Sequence, residues 1–373
     1  MITARDEVTS TRLAEHGGRL ALTGVVRYDF SVCLNAFGMA GTVLRAIQDA
    51  RTAEYPDPYS RLPRSAAASR WQRPISEIML GAGAAELIHA VCFAYLRSGD
   101  RVLIAEPAFG EYARAASLCG AQPLMIPAIR DVCCSPNLAL LAVEIRRLRP
   151  RLVFIASPVS PTGEVLALDA LREIANACRA VGSLLVLDQA YDAFTETPAG
   201  TPSLPGHDHV IHLRSLTKEH ALAGIRVAFA VAAPAIVTAL ESVRVPWAAS
   251  AIAQSAATAA MTDDAAAHVL RTTAALRTEA SRIAAASISL GLQVSVSSTH
   301  FLVIRCGSGH TVRDILLKQH GILVRDCASF GMPEWIRVAA RTTPDTDALI
   351  AALDTVLSVH RESKYTRTIR DRA

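Results

Sequence analysis

Between Arg101 and Ala232 the sequence repeats one kind of unit, a short apolar run that stops at a polar or turn residue. The runs are "RVLIAEP" (101–107), "RLVFIASP" (151–158), "SLLVLDQ" (183–189), "HVIHLRS" (209–215) and "VAFAVA" (227–232). A strand with one face in water alternates apolar and polar residues, so a run that is apolar throughout is covered on both faces. Helical patterns at Leu138–Arg149 and Leu168–Val181 lie between some of the runs, and this alternation predicts an α/β fold built on a mainly parallel sheet. In such sheets ligands collect in the loops at the carboxyl ends of the strands. Ser157-Pro158, Asp188-Gln189 and Arg214-Ser215 stand at those ends.

Beyond Pro246 the texture changes. The alanine-rich stretch Val245–Met261 is interrupted by Ser250, Gln254, Ser255 and Thr258 and predicts a packed helix, not a membrane span. Helices run on to about Ser289, followed by the strand-like "LQVSVSSTHFLVIRC" (292–306), a helix over Thr311–His320, and the strands "GILVRDC" (321–327) and "EWIRVAAR" (334–341). With 373 residues the chain is expected to form two lobes. These are a large domain over 45–255 and a smaller α+β domain over 256–373, with the segment 1–44 packing on the latter. Most of the net charge of +4 sits in the tail, where Arg361, Lys364, Arg367, Arg370 and Arg372 face only Glu362 and Asp371. A nearly neutral body gives no nucleic-acid footprint, and the tail reads as a solvated end. Eight scattered cysteines without a C-x-x-C pair, and an N-terminus lacking the apolar core of a signal peptide, point to the cytoplasm and to no metal ribbon or disulfide framework.

The chain has only three lysines, Lys218, Lys318 and Lys364, among many arginines. Lys218 lies in "RSLTKEHALAGIR" (214–226), directly after a predicted strand. An amine at a strand end can be desolvated into a nucleophile, whereas a guanidinium stays protonated. Taken singly, a solvated loop lysine is the commoner explanation. Ser215, Thr217 and Arg226 around it are what a phosphate needs, and "GAGAAE" (81–86) offers a glycine-rich helix start that also suits an anion. Asp188 can cap a helix or pair with a protonated ring nitrogen. Tyr191 can donate to a phenolate, and Phe109 in "EPAFGEY" can stack on a flat ring. Arg325 and Arg337 can clamp an anionic substrate. His207 and His209 lack a third ligand at metal spacing.

In order and spacing these blocks resemble the class I/II aminotransferase superfamily, pyridoxal 5'-phosphate (PLP) enzymes of fold type I. "RSLTKEHALAGIR" resembles its S-x-[ST]-K…G-[IL]-R block, "VLDQAY" its V-[VL]-D-E-A-Y block, and "SPVSPTG" (157–163) its N-P-x-N-P-T-G turn. The resemblance implies a seven-stranded, mainly parallel sheet. It implies that Lys218 bonds the cofactor's aldehyde and later moves a proton, that Asp188 holds the ring N–H, and that Tyr191 and Ser160 face the ring's 3-oxygen. Phe109 would stack on the ring, while Ala84, Ala85, Ser215, Thr217 and Arg226 would hold the phosphate.

The flanks "EHGG" (15–18), "DFSVCLNAFG" (29–38), "EYPDPYSRLPRSAA" (54–67) and "GILVRDCASF" (321–330) are similar to threonine-phosphate decarboxylases, relatives of histidinol-phosphate aminotransferases. That likeness implies substrate contacts from His16, Asn35, Arg325 and Arg337. It also implies a homodimer with shared active sites in which Tyr55 reaches the partner's cofactor. Ser160 departs from the family's asparagine, Ala36 from a proline, and Glu219-His220 from an aromatic pair, which puts titratable groups beside the lysine. The flanks favour a decarboxylase of a small phosphorylated or otherwise dianionic amino acid, with a histidinol-phosphate-type aminotransferase next. A nicotinamide dehydrogenase leaves Lys218, Asp188 and Tyr191 unused, and a non-catalytic PLP-fold binding protein has little use for that intact set.

Overall fold

The computed structural model describes residues 2–15, 17–18, 25–130, 134–197, 204, 208–295 and 297–370. After a two-residue strand β1 (Tyr28–Asp29), the chain forms β2 (Ile78–Gly81), β3 (Arg101–Ala105), β4 (Gln122–Ile126), β5 (Leu152–Ala156), β6 (Leu184–Asp188), β7 (Val210–Ser215) and β8 (Ala228–Val231). Strands β2 to β8 make one seven-stranded sheet in the order β2-β8-β7-β6-β5-β3-β4, parallel except for β8, which runs against both neighbours.

Alternate residues of single strands serve opposite cores, as the unbroken apolar runs require. Val102, Ile104, Phe154 and Val186 pack under Leu87, Ile88 and Val91 of the helix Ala84–Tyr95. Leu103, Val153, Ile155 and Leu187 pack under Leu141 and Ile145 of Leu138–Leu148 and under Leu171 and Ile174 of Leu168–Val181. Both of these helices stand where the sequence predicts them. The first is capped by Asn137, which accepts from the Leu140 N–H, and the second ends on Gly182 in the left-handed conformation. Strand β4 has no counterpart among the predicted runs. It is the sheet edge, and its Gln122, Pro123 and exposed Met125 dilute the apolar signal.

The register sets up the site. Ala156 lies opposite Asp188, and Asp188 opposite Leu213, so three strands end side by side and deliver Ser157-Pro158, Asp188 and Ser215 to one edge.

The second sheet comprises β9 (Gln293–Val294), β10 (Phe301–Arg305), β12 (Arg325–Asp326) and β13 (Trp335–Ala339) in the antiparallel order β12-β13-β10-β9. Leu302, Ile304, Ile336 and Val338 pack there against Ile283 of the helix Asp263–Ser289 and against Leu349 and Leu353 of Thr343–Arg370. The single predicted strand 292–306 is thus two, separated by a Ser/Thr-rich turn. The predicted helix 311–320 starts at Gly309, capped by Ser308, and widens into a π-turn over Leu316–His320. Within Val245–Met261, helix exists only over Ala251–Ala260. Pro246 and the left-handed Trp247 hold the preceding residues in a loop, and Ser250 caps the helix by accepting from the Ala253 N–H.

Strand β1 pairs in parallel with β11 (Ile322–Leu323). From there Phe30 accepts from the Ala339 N–H, and the Asn35 N–H donates to the Lys218 carbonyl at 3.0 Å. Residues 28–35 therefore form a strap from the second sheet to the loop that carries Lys218. Among the described residues no helix is long and apolar enough to cross a membrane.

Candidate active site

A cavity of about 550 Å³ lies at the carboxyl ends of β5, β6 and β7, walled on its other side by the strap, Arg325 and Arg337. Lys218 reaches it from a tight turn after β7, closed by the Leu222 N–H donating to the Thr217 carbonyl at 3.1 Å. Burial pushes the Lys218 ammonium below its ordinary value, and the nearby Arg337 and Arg226 push the same way. Asp188 is buried at the cavity floor. Its Oδ1 accepts from the Ala190 N–H at 2.9 Å and its Oδ2 from the Tyr112 hydroxyl at 2.6 Å. Burial raises its pKa while both donors oppose the rise. The Lys218 Nζ sits 5.9 Å from the Tyr191 ring centroid, and the Tyr191 hydroxyl hydrogen-bonds with the buried Cys33 thiol.

The other end of the cavity is built for an anion. Gly83 opens the helix Ala84–Tyr95 at φ +93°, and a Cβ there would lie 2.5 Å from Arg226 Nη2. Glycine is what lets the guanidinium lie against the helix start, where the first N–H groups, those of Ala84 and Ala85 among them, have no carbonyl within the helix to meet. Arg226, itself left-handed at φ 62°, is steadied by its Nη1 donating to the Ala223 carbonyl at 3.1 Å. Ser215 Oγ and Thr217 Oγ1 lie 2.6 Å apart beside it. A helix start, two hydroxyls and a guanidinium form a phosphate cradle. With Phe109 on the wall, a carboxylate at the floor and a depressed amine between them, the residues fit PLP.

On the substrate side, Arg337 donates from Nη1 to Ser160 Oγ at 3.0 Å and from Nη2 to the Ser31 carbonyl at 2.7 Å, while its buried Nε has no partner. Arg325 Nη1 pairs with Glu15 Oε1 at 3.4 Å, and its Nη2 reaches the Glu15 carbonyl at 3.2 Å and Ser329 Oγ at 2.7 Å.

The structure thus gathers Ala84, Ala85, Phe109, Ser160, Asp188, Tyr191, Ser215, Thr217, Lys218, Arg226, Arg325 and Arg337 around one cavity. Three expectations stand apart. Asn35 lies behind the wall, its Nδ2 donating to the Glu219 carbonyl at 2.9 Å and Thr272 Oγ1 at 2.8 Å, so it braces the Lys218 loop and does not line the cavity. Tyr55 is 83% exposed, away from the cavity and tilted against Trp247 at 4.9 Å. His16 lies outside the described residues, as does His207 of the rejected metal pair.

Glu219 and His220 follow Lys218 in sequence but do not line the cavity, because the turn sends their side chains into the protein. Burial pushes Glu219 up to about 8 and His220 down to about 4. The sequence reading also missed Tyr112, Cys33 and Glu15. Tyr112 looks like a core aromatic at helix spacing, and the other two lie in flanks whose likeness points to His16 and Asn35 instead.

Comparison with known proteins follows the same lines. The family model described as aminotransferase class I and II matches residues 35–353. A histidinol-phosphate aminotransferase of Symbiobacterium thermophilum is 32% identical over 84% of this chain and 86% of its own. A histidinol-phosphate aminotransferase of Ralstonia nicotianae is 31% identical over 82% of each. The crystal structure of histidinol-phosphate aminotransferase from Sinorhizobium meliloti with pyridoxal-5'-phosphate superposes with a TM-score of 0.83 at 26% identity, covering 90% of this chain and 92% of that one.

Proposed function

This chain belongs to the aminotransferase class I and II family and is a PLP-dependent enzyme of it, and from that premise we propose that it transfers the amino group of a small phosphorylated or otherwise dianionic substrate of the histidinol-phosphate type. The ranking drawn from the flanking motifs is reversed, with aminotransfer placed ahead of threonine-phosphate decarboxylation. Relatives that share nearly a third of the residues over more than four fifths of both chains support the change.

The observation that carries the substrate class is the pair of guanidiniums, Arg325 and Arg337, lining the same cavity as Lys218 but apart from the phosphate cradle. One suits the distal anion and the other the group nearest the reacting carbon, held by bidentate donation. When bound, the cofactor supplies an aldehyde for the substrate's amine and a ring that accepts electrons from the α-carbon. The chain supplies the rest. Lys218 Nζ, kept poor in protons by burial and by Arg337 and Arg226, takes a proton from the α-carbon and returns it. Asp188 holds a proton at the ring nitrogen, and Arg226 with the Ala84 and Ala85 amides anchors the phosphate. Ser160, with its oxygen accepting from Arg337, keeps its hydroxyl hydrogen for the ring oxygen beside Tyr191.

The reading includes a homodimer. Tyr55 and Trp247 form an exposed aromatic pair, with Val245 and Leu62 also exposed, a surface suited to a second copy.

The test is incubation with histidinol phosphate and 2-oxoglutarate, beside threonine phosphate without keto acid. Glutamate formation in the first supports the reading. Carbon dioxide release in the second restores the decarboxylase, and inactivity in both sinks the dianionic class.

A further inference from the structure

We propose that Tyr112 is a positioning residue for the cofactor, one whose hydroxyl fixes the Asp188 carboxylate and thereby keeps the shared proton on the ring nitrogen. The inference rests on Asp188 facing that nitrogen and is independent of which amino acid reacts.

A carboxylate with no fixed donors can turn about its own bond. Here each oxygen of Asp188 has one, the Ala190 N–H on Oδ1 and the Tyr112 hydroxyl on Oδ2. The two bonds lock the plane of the group and leave its remaining lone pairs for the cavity that both residues line. Tyr112 is itself immobilised. It is 2% exposed, its ring stacks on Phe154 at 4.9 Å and 11°, and it meets Phe109 edge-on at 5.7 Å and 84°. One residue on the helix Gly110–Leu118 therefore holds the side chain beneath the ring nitrogen and the aromatic on the cavity wall.

The chemical consequence follows from proton competition. A carboxylate that loses a donor in a buried site becomes more basic. Between a protonated pyridine and such a carboxylate, the proton moves toward oxygen, and a neutral ring is a weaker electron acceptor. A strong phenol–carboxylate bond draws charge off the oxygen and leaves the proton on nitrogen.

The experiment reconstitutes the holoenzyme with cofactor labelled with ¹⁵N in the ring and follows that resonance across pH in wild type, Tyr112→Phe and Asp188→Asn. The phenylalanine keeps both ring contacts and removes only the hydroxyl. The expected result is a shift toward the unprotonated position in Tyr112→Phe, with kcat reduced roughly tenfold or more and KM for the amino donor within about twofold of wild type. Difluorotyrosine at position 112 preserves the packing and guards against a variant that does not fold. Its more acidic hydroxyl must move the resonance the other way, toward full protonation. A resonance unchanged in both position-112 variants, or a fall in kcat without any shift, overturns the proposal. An unchanged resonance in Asp188→Asn overturns its premise instead, and no result in this set bears on the substrate class.

Discussion

Glu15 occupies Arg325 with a carboxylate of the chain itself, at the guanidinium expected to receive the substrate's distal anion. Replacing it by glutamine removes that charge and keeps the length of the side chain. The backbone carbonyl of residue 15 at 3.2 Å and Ser329 Oγ at 2.7 Å still position the guanidinium. At 3.4 Å two unit charges attract by about 1 kcal/mol in bulk water and about 5 kcal/mol at an effective dielectric near 20. Arg325 is 7% exposed but Glu15 is 59% exposed, so solvent screens the pair and its worth lies near the lower figure, about 0.5–1 kcal/mol. A substrate anion has to displace Glu15, and Glu15→Gln removes that competition. KM for a phosphorylated donor should fall about two- to fivefold, with kcat unchanged because Glu15 does not touch the reacting atoms. The assay is steady-state aminotransfer from histidinol phosphate beside a donor without phosphate, at low and high salt. The gain should appear only for the anionic donor and shrink with salt. A rise in KM, or an equal gain for the uncharged donor, refutes the reasoning.

Lys218→Arg keeps the positive charge but cannot bond an aldehyde. It should abolish the visible absorbance change on adding cofactor and lower turnover by roughly a hundredfold or more, as read by spectrophotometry and single-turnover kinetics. Gly83→Ala drives a methyl group into Arg226 at a left-handed position, and equilibrium dialysis should show cofactor affinity lowered about tenfold while the apoprotein melts within a few degrees of wild type. Glu219 titrates near 8 in the folded chain against an ordinary 4.5, so between those values the folded state holds a proton that the unfolded state releases. Stability from this group is present below about 4.5 and is lost as pH rises toward 8. Glu219→Gln should therefore gain in stability over wild type from pH 5 to pH 8, by on the order of a few kcal/mol at most, read as a Tm difference that widens with pH. Parallel melting curves across that range would show that Glu219 is not the titrating group.

The run at 184–188 was legible because full burial on both faces leaves no position for a polar residue until the strand ends, and Asp188 stood out as that interruption. The run at 210–215 was legible despite His212 and Arg214, which are buried against Gln189 and Asp192. Lys218, Tyr191 and Arg226 could be found because their roles fix residue types at set distances from those ends. Contacts across the chain left no such trace. Tyr112 meets Asp188 from a helix 76 positions earlier, and its spacing there is that of any core aromatic. Glu15 meets Arg325 across almost the whole molecule. The reading of Asn35 rested on a likeness of its flank, and that of Glu219-His220 on their standing next to Lys218. A turn of the tightness of Thr217–Leu222 reverses the direction of successive side chains, and the bond from Asn35 to the Glu219 carbonyl shows where that reversal points.

The strap has a bearing on how the chain is made. Strand β1 is synthesised well before its partner β11, since Tyr28 stands opposite Ile322. The Lys218 loop that Asn35 braces lies far downstream as well. While the large sheet can assemble from neighbouring units as they leave the ribosome, residues 28–35 lack their strand partner until β11 has been made. Closure of the strap therefore has to await β11. A nascent or C-terminally truncated chain can own a finished central sheet and still lack a finished site.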